Sequence, residues 1–391
     1  MGTWNTTFGT ATSPIHVTGN STIVIFDNNS TSTVPSLRNS IEIDGGKILT
    51  VNGGKRCNLQ GSLSGSGRMK VSFPYVRGDV STNVSQFEGI IEVTSGQYRL
   101  VQGMDLSKGS LQLDAGVYAV SVKAGSGTET ALTHKIGALT SSASDCTLAT
   151  GTWNVGYLGT NNTYAGIINQ DATLNKYGEG KLTLTGASTG RINVREGSVS
   201  LDNTTNTTTG VVTVYEGGKV CGAGKTASVT INEGGTLAAA KQPTLLGTLT
   251  IGTVLSVNAK GRIETKTRKA QSDHFRIDGR ATLNNPCFVM QSLDGEWEPG
   301  TEYQVFTGSG IITLLGTPTF EPAVPKPGYV WDYSRLTSDG IIAVSEDPTG
   351  IGNVEGDISE GNESYYDLQG RKLPAARKGV NIIDGKKVVV K

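Results

Sequence analysis

The stretch Lys181–Leu201, KLTLTGASTGRINVREGSVSL, decides the fold class. It contains three short runs in which apolar and polar residues alternate, and glycine-containing breaks separate the runs. Alternation with period two is the pattern of a β-strand that buries one face. Glycine tolerates the positive φ of a sharp change of direction. The stretch therefore predicts short strands joined by tight corners, a unit that can stack on copies of itself.

The same unit recurs along the chain as an apolar-x-apolar pair, two polar or small residues, a glycine and another apolar residue. The pairs are Ile41/Ile43, Ile91/Val93, Leu111/Leu113, Ile192/Val194, Val212/Val214 and Val229/Ile231. Gly96 and Gly116 lie 20 residues apart, Gly197 and Gly217 also lie 20 apart, and Gly234 follows Gly217 after 17. A period near 20 is the signature of a solenoid whose coils cover one another's apolar faces.

We therefore predict an all-β fold, a right-handed parallel β-helix with a β-rich C-terminal cap and a short C-terminal tail. Antiparallel sandwiches are the alternative, because they also consist of short alternating strands with frequent turns. They do not explain why one template returns at a fixed phase. The composition agrees with many short strands and turns, since 53 of 391 residues are glycine and only 6% are aromatic.

Charge and hydropathy exclude several classes of partner. Lys+Arg and Asp+Glu balance at 34 each, so no net field favours nucleic acid, which we do not expect as a partner. No apolar run approaches the roughly 20 residues of a transmembrane helix. The opening MGTWNTTFGT lacks the basic and apolar regions of a signal peptide. We expect either a cytoplasmic protein or a chain whose export signal lies elsewhere.

The sequence gives no reason to expect a metal or a cofactor. Its cysteines are far apart in sequence, without the close pairs of a zinc or redox site, and we expect four buried, unpaired thiols. They are Cys57, Cys146, Cys221 and Cys287. The motif GAGKT, Gly222–Thr226, has Lys219 where a phosphate-binding loop needs its first glycine, and a strand pattern follows it.

The histidines also give no sign of a catalytic or metal site. His16, His134 and His274 show no metal-ligand spacing, and we expect no catalytic residue among them. His274 and Asp278 flank the run FRI and suggest a dyad. Strand alternation instead places Phe275 and Ile277 inside and leaves His274 and Asp278 on the solvated outer face.

Carboxylates beside the corner glycines form the candidate surface feature. Glu196, Glu216 and Glu233 directly precede corner glycines in successive repeats, so we expect them to form a row along the solenoid. β-Helix polysaccharide lyases and hydrolases place carboxylates on adjacent coils beside an Arg or Lys base. No Asp-rich cluster with a neighbouring base appears here, and we interpret the row as a solvated edge that limits side-to-side association. A weak binding surface is the alternative.

The run Val155–Leu201 resembles the autotransporter-associated β-strand repeat of bacterial passenger domains. Its core, "K-x-G-x-G-x-L-x-L-x-G", is matched by Lys176, Gly178, Gly180, Leu182, Leu184 and Gly186, and its strand "V-x-x-G-x-L" by Val194, Gly197 and Val199. The spacer ASTG is shorter than the family's. Weaker resemblance runs from about Leu59 to Ala240. The resemblance implies a secreted or surface-exposed β-helix of a Gram-negative bacterium.

The C-terminal residues are similar to the sorting domains of type IX secretion cargo. A "Y-D-x-x-G-R" element and a "K-G-x-y-I-I-x-G-K-x-x-V-K" ending are matched, with Asn381 where the family has Tyr. The motif residues are Tyr366, Asp367, Gly370, Arg371, Gly379, Gly385, Lys387 and Lys391. The resemblance implies that secretion machinery recognises this tail.

The predicted organisation follows from these segments. Residues 1–244 form β-helix repeats, 245–344 the closing coils and a proline-rich, aromatic cap, 345–364 an acidic linker and 365–391 the sorting-like tail. We expect a non-catalytic secreted or cell-surface module, a stalk, adhesin-like passenger or accessory domain, with glycans or cell-surface components as partners. We expect it to be monomeric or fused to an upstream domain. The alternative is a β-helix polysaccharide lyase or glycoside hydrolase, or its C-terminal half.

Overall fold

Parallel strands stack into a β-solenoid of about 12 turns, which confirms the predicted fold class. The computed structural model describes residues 13–25, 34–53, 56–124, 128–203, 209–347, 365–368, 371–383 and 386–390. No helix occurs within these ranges. Neighbouring coils pair in register through parallel ladders, so that apolar residues of equivalent phase lie above one another.

Each coil has three faces, which the chain follows in the order 1, 2, 3. Face 1 consists of Ile15–Val17, Ile41–Ile43, Ser62–Gly65, Asn83–Phe87, Gly151–Val155, Ala172–Lys176, Arg191–Val194, Arg280–Asn284 and Ile311–Leu315. Face 2 consists of Ser21–Ile25, Ile48–Gly53, Asn162–Tyr164, Lys181–Leu184, Gly197–Leu201, Gly218–Gly222, Thr236–Ala238, Arg262–Arg268, Cys287–Ser292 and Thr319–Glu321. Face 3 consists of Ser36–Leu37, Arg56–Leu59, Tyr118–Ser121, Thr147–Leu148, Ile167–Ile168, His274–Ile277 and Phe306–Thr307.

Seven longer strands turn a corner and belong to two faces. Asp105–Leu113 and Thr133–Thr140 join faces 1 and 2, Arg68–Val80 and Ile90–Leu100 join faces 2 and 3, and Thr209–Val214, Lys225–Ile231 and Thr248–Val257 join face 3 to face 1. The short strand Gln271–Ser272 pairs antiparallel with the end of Arg262–Arg268. Because most strands have a neighbour on both sides, most backbone N–H and C=O groups bond between coils.

The apolar positions of the repeat form the inner wall. Within Lys181–Leu201, the side chains that the alternation predicts to be inside are at most 3% exposed: Leu182, Leu184, Ile192, Val194, Val199 and Leu201. Five of them lie in register with an apolar side chain of the next coil, as Ile192 does with Val212, whereas Leu201 lies in register with Gly222. Burying one such side chain contributes roughly 1.5–3 kcal/mol. All four cysteines are also buried, as predicted.

The corner glycines occupy two different corners of the coil. Gly197, Gly217 and Gly234 have positive φ and lie between faces 1 and 2. Gly96 and Gly116 also have positive φ, but they lie between faces 2 and 3. The expectation of one template at one fixed phase was therefore wrong. Two corners of the coil use the same pattern of residue types because each needs an inward apolar pair followed by a residue with positive φ.

An antiparallel sheet and an aromatic stack close the C-terminal end of the solenoid. The sheet contains Glu302–Gln304, Ile341–Glu346 and Tyr329–Asp332, in that order. Trp331 stacks on Phe320 of the last face 2 strand at 5.9 Å between centroids, and Phe320 stacks on Phe288 of the preceding coil at 5.5 Å. This cap agrees with the predicted aromatic plug. Strand Ile341–Glu346 includes the first two residues of the predicted acidic linker, and residues 348–364 lie outside the described residues.

Candidate functional site

The predicted carboxylate row exists at the corner between faces 1 and 2. Register pairs Val194 with Val214 and Val214 with Ile231, which places Glu196, Glu216 and Glu233 at equivalent positions on successive coils. All three side chains are exposed. Glu196 Oε2 accepts the Gly178 N–H at 2.8 Å, and Glu233 Oε1 accepts Lys260 Nζ at 2.9 Å. The register therefore aligns the three glutamates along the solenoid, whereas the role of the row stays a prediction.

Directly beside the row lie two pairs of stacked side chains, which we together name the corner ridge: Tyr157 with Tyr177, and Arg195 with Tyr215. The rings of Tyr157 and Tyr177 stack at 5.4 Å with planes 12° apart. The Arg195 guanidinium lies 3.6 Å above the Tyr215 ring centre. Cation–π contacts of this kind contribute about 0.5–1 kcal/mol at exposed sites. Each of the two contacts therefore ties together the corners of two successive coils.

The ridge was missed by sequence reasoning, although the sequence carries a signal for it. Arg195 and Tyr215 each directly precede a glutamate of the row, in the tripeptides REG and YEG. Arg195 and Tyr215 point outward because each directly follows an inward-pointing valine, and side chains alternate along a strand. Burial, with Tyr177, Asp105 and Glu196 nearby, raises the pKa of Tyr157, so its hydroxyl remains a hydrogen-bond donor at neutral pH.

A buried lysine supports the ridge from inside. Lys176 occupies an inner-wall position, in register with Val155 and Val194, and is 1% exposed. Its Nζ donates to the backbone carbonyls of Tyr177 at 2.8 Å and Gly178 at 2.6 Å. Burial lowers its pKa to about 8, against the opposing effect of Glu196. Lys176, which is also the lysine of the resembled repeat motif, thus fixes the backbone of the corner from which the Tyr177 side chain of the ridge extends.

A second polar cluster, also missed, lies on the outside of face 2. Register aligns Lys70, Glu92 and Gln112 on three successive coils. Arg68 Nη1 donates to Glu92 Oε2 at 2.5 Å and to Gln112 Oε1 at 3.2 Å, and Lys70 Nζ lies 3.1 Å from Glu92 Oε1. The Glu92 side chain is only 8% exposed. Two cations therefore neutralise one shielded carboxylate. Gln112 Nε2 extends the network by donating to Asp114 Oδ1 at 3.0 Å.

A serine and a histidine meet in the core, but with the wrong polarity for nucleophilic catalysis. His134 Nδ1 accepts the Met104 N–H at 3.2 Å, so the neutral ring carries its proton on Nε2. Nε2 then donates a hydrogen bond to Ser121 Oγ at 2.7 Å, and Ser121 Oγ donates one to the Thr150 carbonyl at 3.3 Å. A base that activates serine must accept from Oγ. His134 is 0% exposed and packs on Trp153 as a core residue.

His134 makes the fold sensitive to acid. Burial lowers its pKa to about 4, whereas an unfolded histidine titrates near 6.5. The unfolded state binds the proton first, so we expect the free energy of unfolding to fall by about 3 kcal/mol as pH drops from 6.5 to 4. Urea denaturation at several pH values measures this loss.

The matched variants separate His134 from other acid effects. His134→Gln, which retains an amide donor and cannot titrate, should be less stable at pH 7 and lose most of the slope between pH 6.5 and 4. His16→Gln changes an exposed histidine that pairs with Asp44, and should keep the acid loss. Equal slopes in wild type and His134→Gln would show that His134 does not cause the effect.

The other sequence motifs fall on strands, as expected. GAGKT spans the end of Gly218–Gly222 and the start of Lys225–Ile231, with strand instead of helix after it. Phe275 and Ile277 are at most 1% exposed, which confirms that they point inward. Asp278 accepts from Arg276 Nε at 2.8 Å.

The tail forms its own four-stranded antiparallel sheet, in the order Lys372–Leu373, Tyr365–Tyr366, Gly379–Ile383, Lys386–Val390. Asp367 accepts both the backbone N–H and Nε of Arg371, at 2.9 and 2.7 Å. The sheet places Tyr366 opposite Ile382, Gly379 at φ +112° and Lys387 on the last strand. Gly370, Gly385 and Lys391 lie outside the described residues.

Asn381, where the tail departs from the resembled motif, has a structural role. It is 2% exposed, accepts the Arg377 N–H at 3.0 Å and donates to the Gly379 carbonyl at 3.0 Å. The amide thus closes the turn that precedes strand Gly379–Ile383.

Comparisons add no family to these observations. Among the described residues, no helix is long and apolar enough to cross a membrane, and no three His, Cys, Asp or Glu side chains gather as metal ligands do. No protein-family model and no curated protein matches the sequence.

Proposed function

We propose that the chain is a non-catalytic secreted or cell-surface module of a Gram-negative bacterium, a rigid β-solenoid that acts as stalk, adhesin-like passenger or accessory domain. The observation that carries the proposal is the corner ridge beside the carboxylate row, where outward side chains on successive coils hold one another. Asn154, Asn175 and Asn193 form a similar ladder on face 1, with amide hydrogen bonds of 2.7 and 2.8 Å.

These ladders suit a protein that spans distance and presents a repeating surface. Coils stack about 4.8 Å apart, so about 12 of them form a rod on the order of 60 Å long. Each of these side chains is restrained by at least one neighbouring coil. Such a surface costs little conformational entropy when it binds a ligand that extends along the axis.

Neutral glycans are the ligand class that the ridge favours. It offers tyrosine hydroxyls and the guanidinium of Arg195 beside carboxylates, groups that donate to or accept from sugar hydroxyls. Because Tyr157 and Tyr177 stack on each other, the ring faces between them are covered and contact is made through their edges. Glu196, Glu216 and Glu233 repel polyanions such as polyuronates.

The ligand test uses retention of the intact chain on immobilised neutral and acidic polysaccharides. We expect retention on a neutral polysaccharide, and Tyr177→Phe, which keeps the ring stack but removes a hydroxyl, should weaken it about fivefold, the effect of one hydrogen bond. Tyr329→Phe on the cap is the control. Retention on polyuronates alone, or equal retention of both variants, would contradict the assignment of the ridge.

The tail belongs to the proposal as the element that secretion machinery recognises. The folded sheet around the Asp367–Arg371 pair supports this role, since it presents the described motif residues in a defined arrangement. Deletion of residues 365–391 should abolish delivery to the cell surface while the solenoid still accumulates inside the cell. Equal surface delivery of the deleted and full chains would refute the sorting role.

The cluster around Glu92 favours a second candidate, a polysaccharide-active enzyme. It puts Arg68 and Lys70 beside a carboxylate on the outside of adjacent coils, which is the arrangement that β-helix enzymes need. Glu92 already engages both cations, which leaves them less available to a substrate carboxylate or as a base. Turnover of a polysaccharide that Lys70→Met abolishes would favour this candidate.

A further inference from the structure

The last strand of face 1, Ile311–Leu315, has one open edge. Its sequence is IITLL, and among the described residues it pairs only with Arg280–Asn284 of the preceding coil. Ile311 is 73% exposed and Leu315 is 47% exposed. Gly310 and Gly316 flank the strand, and no charged residue or proline lies within it. Natural proteins normally protect such an edge with charge, proline or a covering element.

The cap covers the other two faces and leaves this one open. Trp331 stacks on Phe320 of face 2, and the Phe306 N–H of face 3 donates to the Gly340 carbonyl of the cap at 3.0 Å. Ile312 and Leu314 point inward, in register with Ala281 and Leu283, which are at most 1% exposed. Ile312 and Leu314 are only half-buried. The inward side chains of this last strand are therefore not fully covered, and a partner strand at the open edge would remove their apolar surface from water.

The sequence points to a second copy of the chain as the occupant. The N-terminal coils lie at the opposite end of the solenoid, and residues 348–364 contain four glycines and four acidic residues, which do not complement an apolar strand. IITLL complements itself in antiparallel pairing about Thr313, because isoleucines meet leucines and Thr313 meets its own copy.

We propose that two chains associate through antiparallel pairing of Ile311–Leu315 about a two-fold axis at Thr313. This isologous contact satisfies both open edges at once and forms a closed dimer. It joins two solenoids at their capped ends, with their N-terminal coils pointing away from each other. The inference concerns assembly and goes beyond the proposed surface function, which holds for a monomer as well.

Cysteine cross-linking tests the register. Thr313→Cys places the two thiols across the axis, with Cα atoms about 4.5–5.5 Å apart, within disulfide reach. We expect a disulfide-linked dimer under mild oxidation. Leu315→Cys separates its two copies by four residues along the strands, about 14 Å, and should not cross-link. The native thiols are buried and should not interfere. Equal cross-linking of both variants, or none with Thr313→Cys, would overturn the proposal.

Sedimentation velocity tests whether the edge drives association. We expect the wild-type chain to form dimers at micromolar concentration and Ile311→Lys to weaken dimerisation at least tenfold. Val211→Lys is the control, because Val211 is 44% exposed on face 1 but its strand is paired on both sides. A wild-type monomer at all concentrations, or a dimer equally strong in Ile311→Lys, would refute the contact.

Discussion

Gly96→Ala should destabilise the solenoid by more than about 4 kcal/mol, a loss typical of severe core clashes. A Cβ on Gly96 would lie 1.9 Å from the Phe73 carbonyl oxygen of the preceding coil, and the backbone there cannot withdraw without breaking the ladder. Gly96 also has φ +79°, a conformation that costs an L-residue about 1–2 kcal/mol. Urea unfolding monitored by circular dichroism measures the loss.

Gly116→Ala is the matched control on the next coil. Gly116 lies at the same corner with φ +71°, but a Cβ at this position would meet no heavy atom within 4 Å apart from those of its chain neighbours. We expect the variant to lose only the backbone contribution of about 1–2 kcal/mol. Equal losses of stability in the two variants would show that backbone conformation alone causes the loss, and that the contact between coils at Gly96 does not add to it.

Asp273→Asn should cost roughly 3–5 kcal/mol, the range for a buried ion pair that loses one partner. Asp273 is 0% exposed and Lys266 is 2% exposed, with Nζ and Oδ2 3.3 Å apart. The carboxylate also accepts the backbone N–H groups of Gly247 at 2.8 Å and Lys266 at 3.0 Å. Asparagine can keep one of these bonds, but it leaves the ammonium group of Lys266 buried without a counter-charge.

Glu233→Gln provides the comparison for Asp273. Glu233 pairs with Lys260 at a similar distance, 2.9 Å, but both side chains are mostly exposed. Water already solvates these charges, so we expect no measurable change in the urea midpoint. If Asp273→Asn is as harmless as Glu233→Gln, then the pair between Lys266 and Asp273 does not hold the loop at Gly247 in place.

The repeat could be predicted from sequence because its signal is local. An inward apolar pair and a left-handed glycine follow directly from residue type, and stacking follows from recurrence. The corner that each glycine occupies does not follow, since Gly96 and Gly197 follow the same apolar-x-apolar pattern but lie at different corners. Only the pairing of whole coils distinguishes the two.

The surface constellations depend on contacts between residues far apart in sequence. Lys70, Glu92 and Gln112 become neighbours only when three coils are in register, and insertions between coils make that register hard to count from sequence. Two members of the corner ridge, Arg195 and Tyr215, directly precede glutamates of the row, and sequence reasoning can use that offset. The carboxylate row was predicted because its members share that regular spacing.

Product release from polysaccharides tests the central claim, a non-catalytic surface module, most directly. The intact chain is incubated with neutral and acidic polysaccharides, and both retention and new chain ends are measured. The proposed function predicts retention of a neutral polysaccharide with no new chain ends on any substrate. The claim would be contradicted if the wild-type protein released new polysaccharide ends and Lys70→Met, at unchanged stability, did not. That result would place catalytic activity at the cluster around Glu92 on face 2.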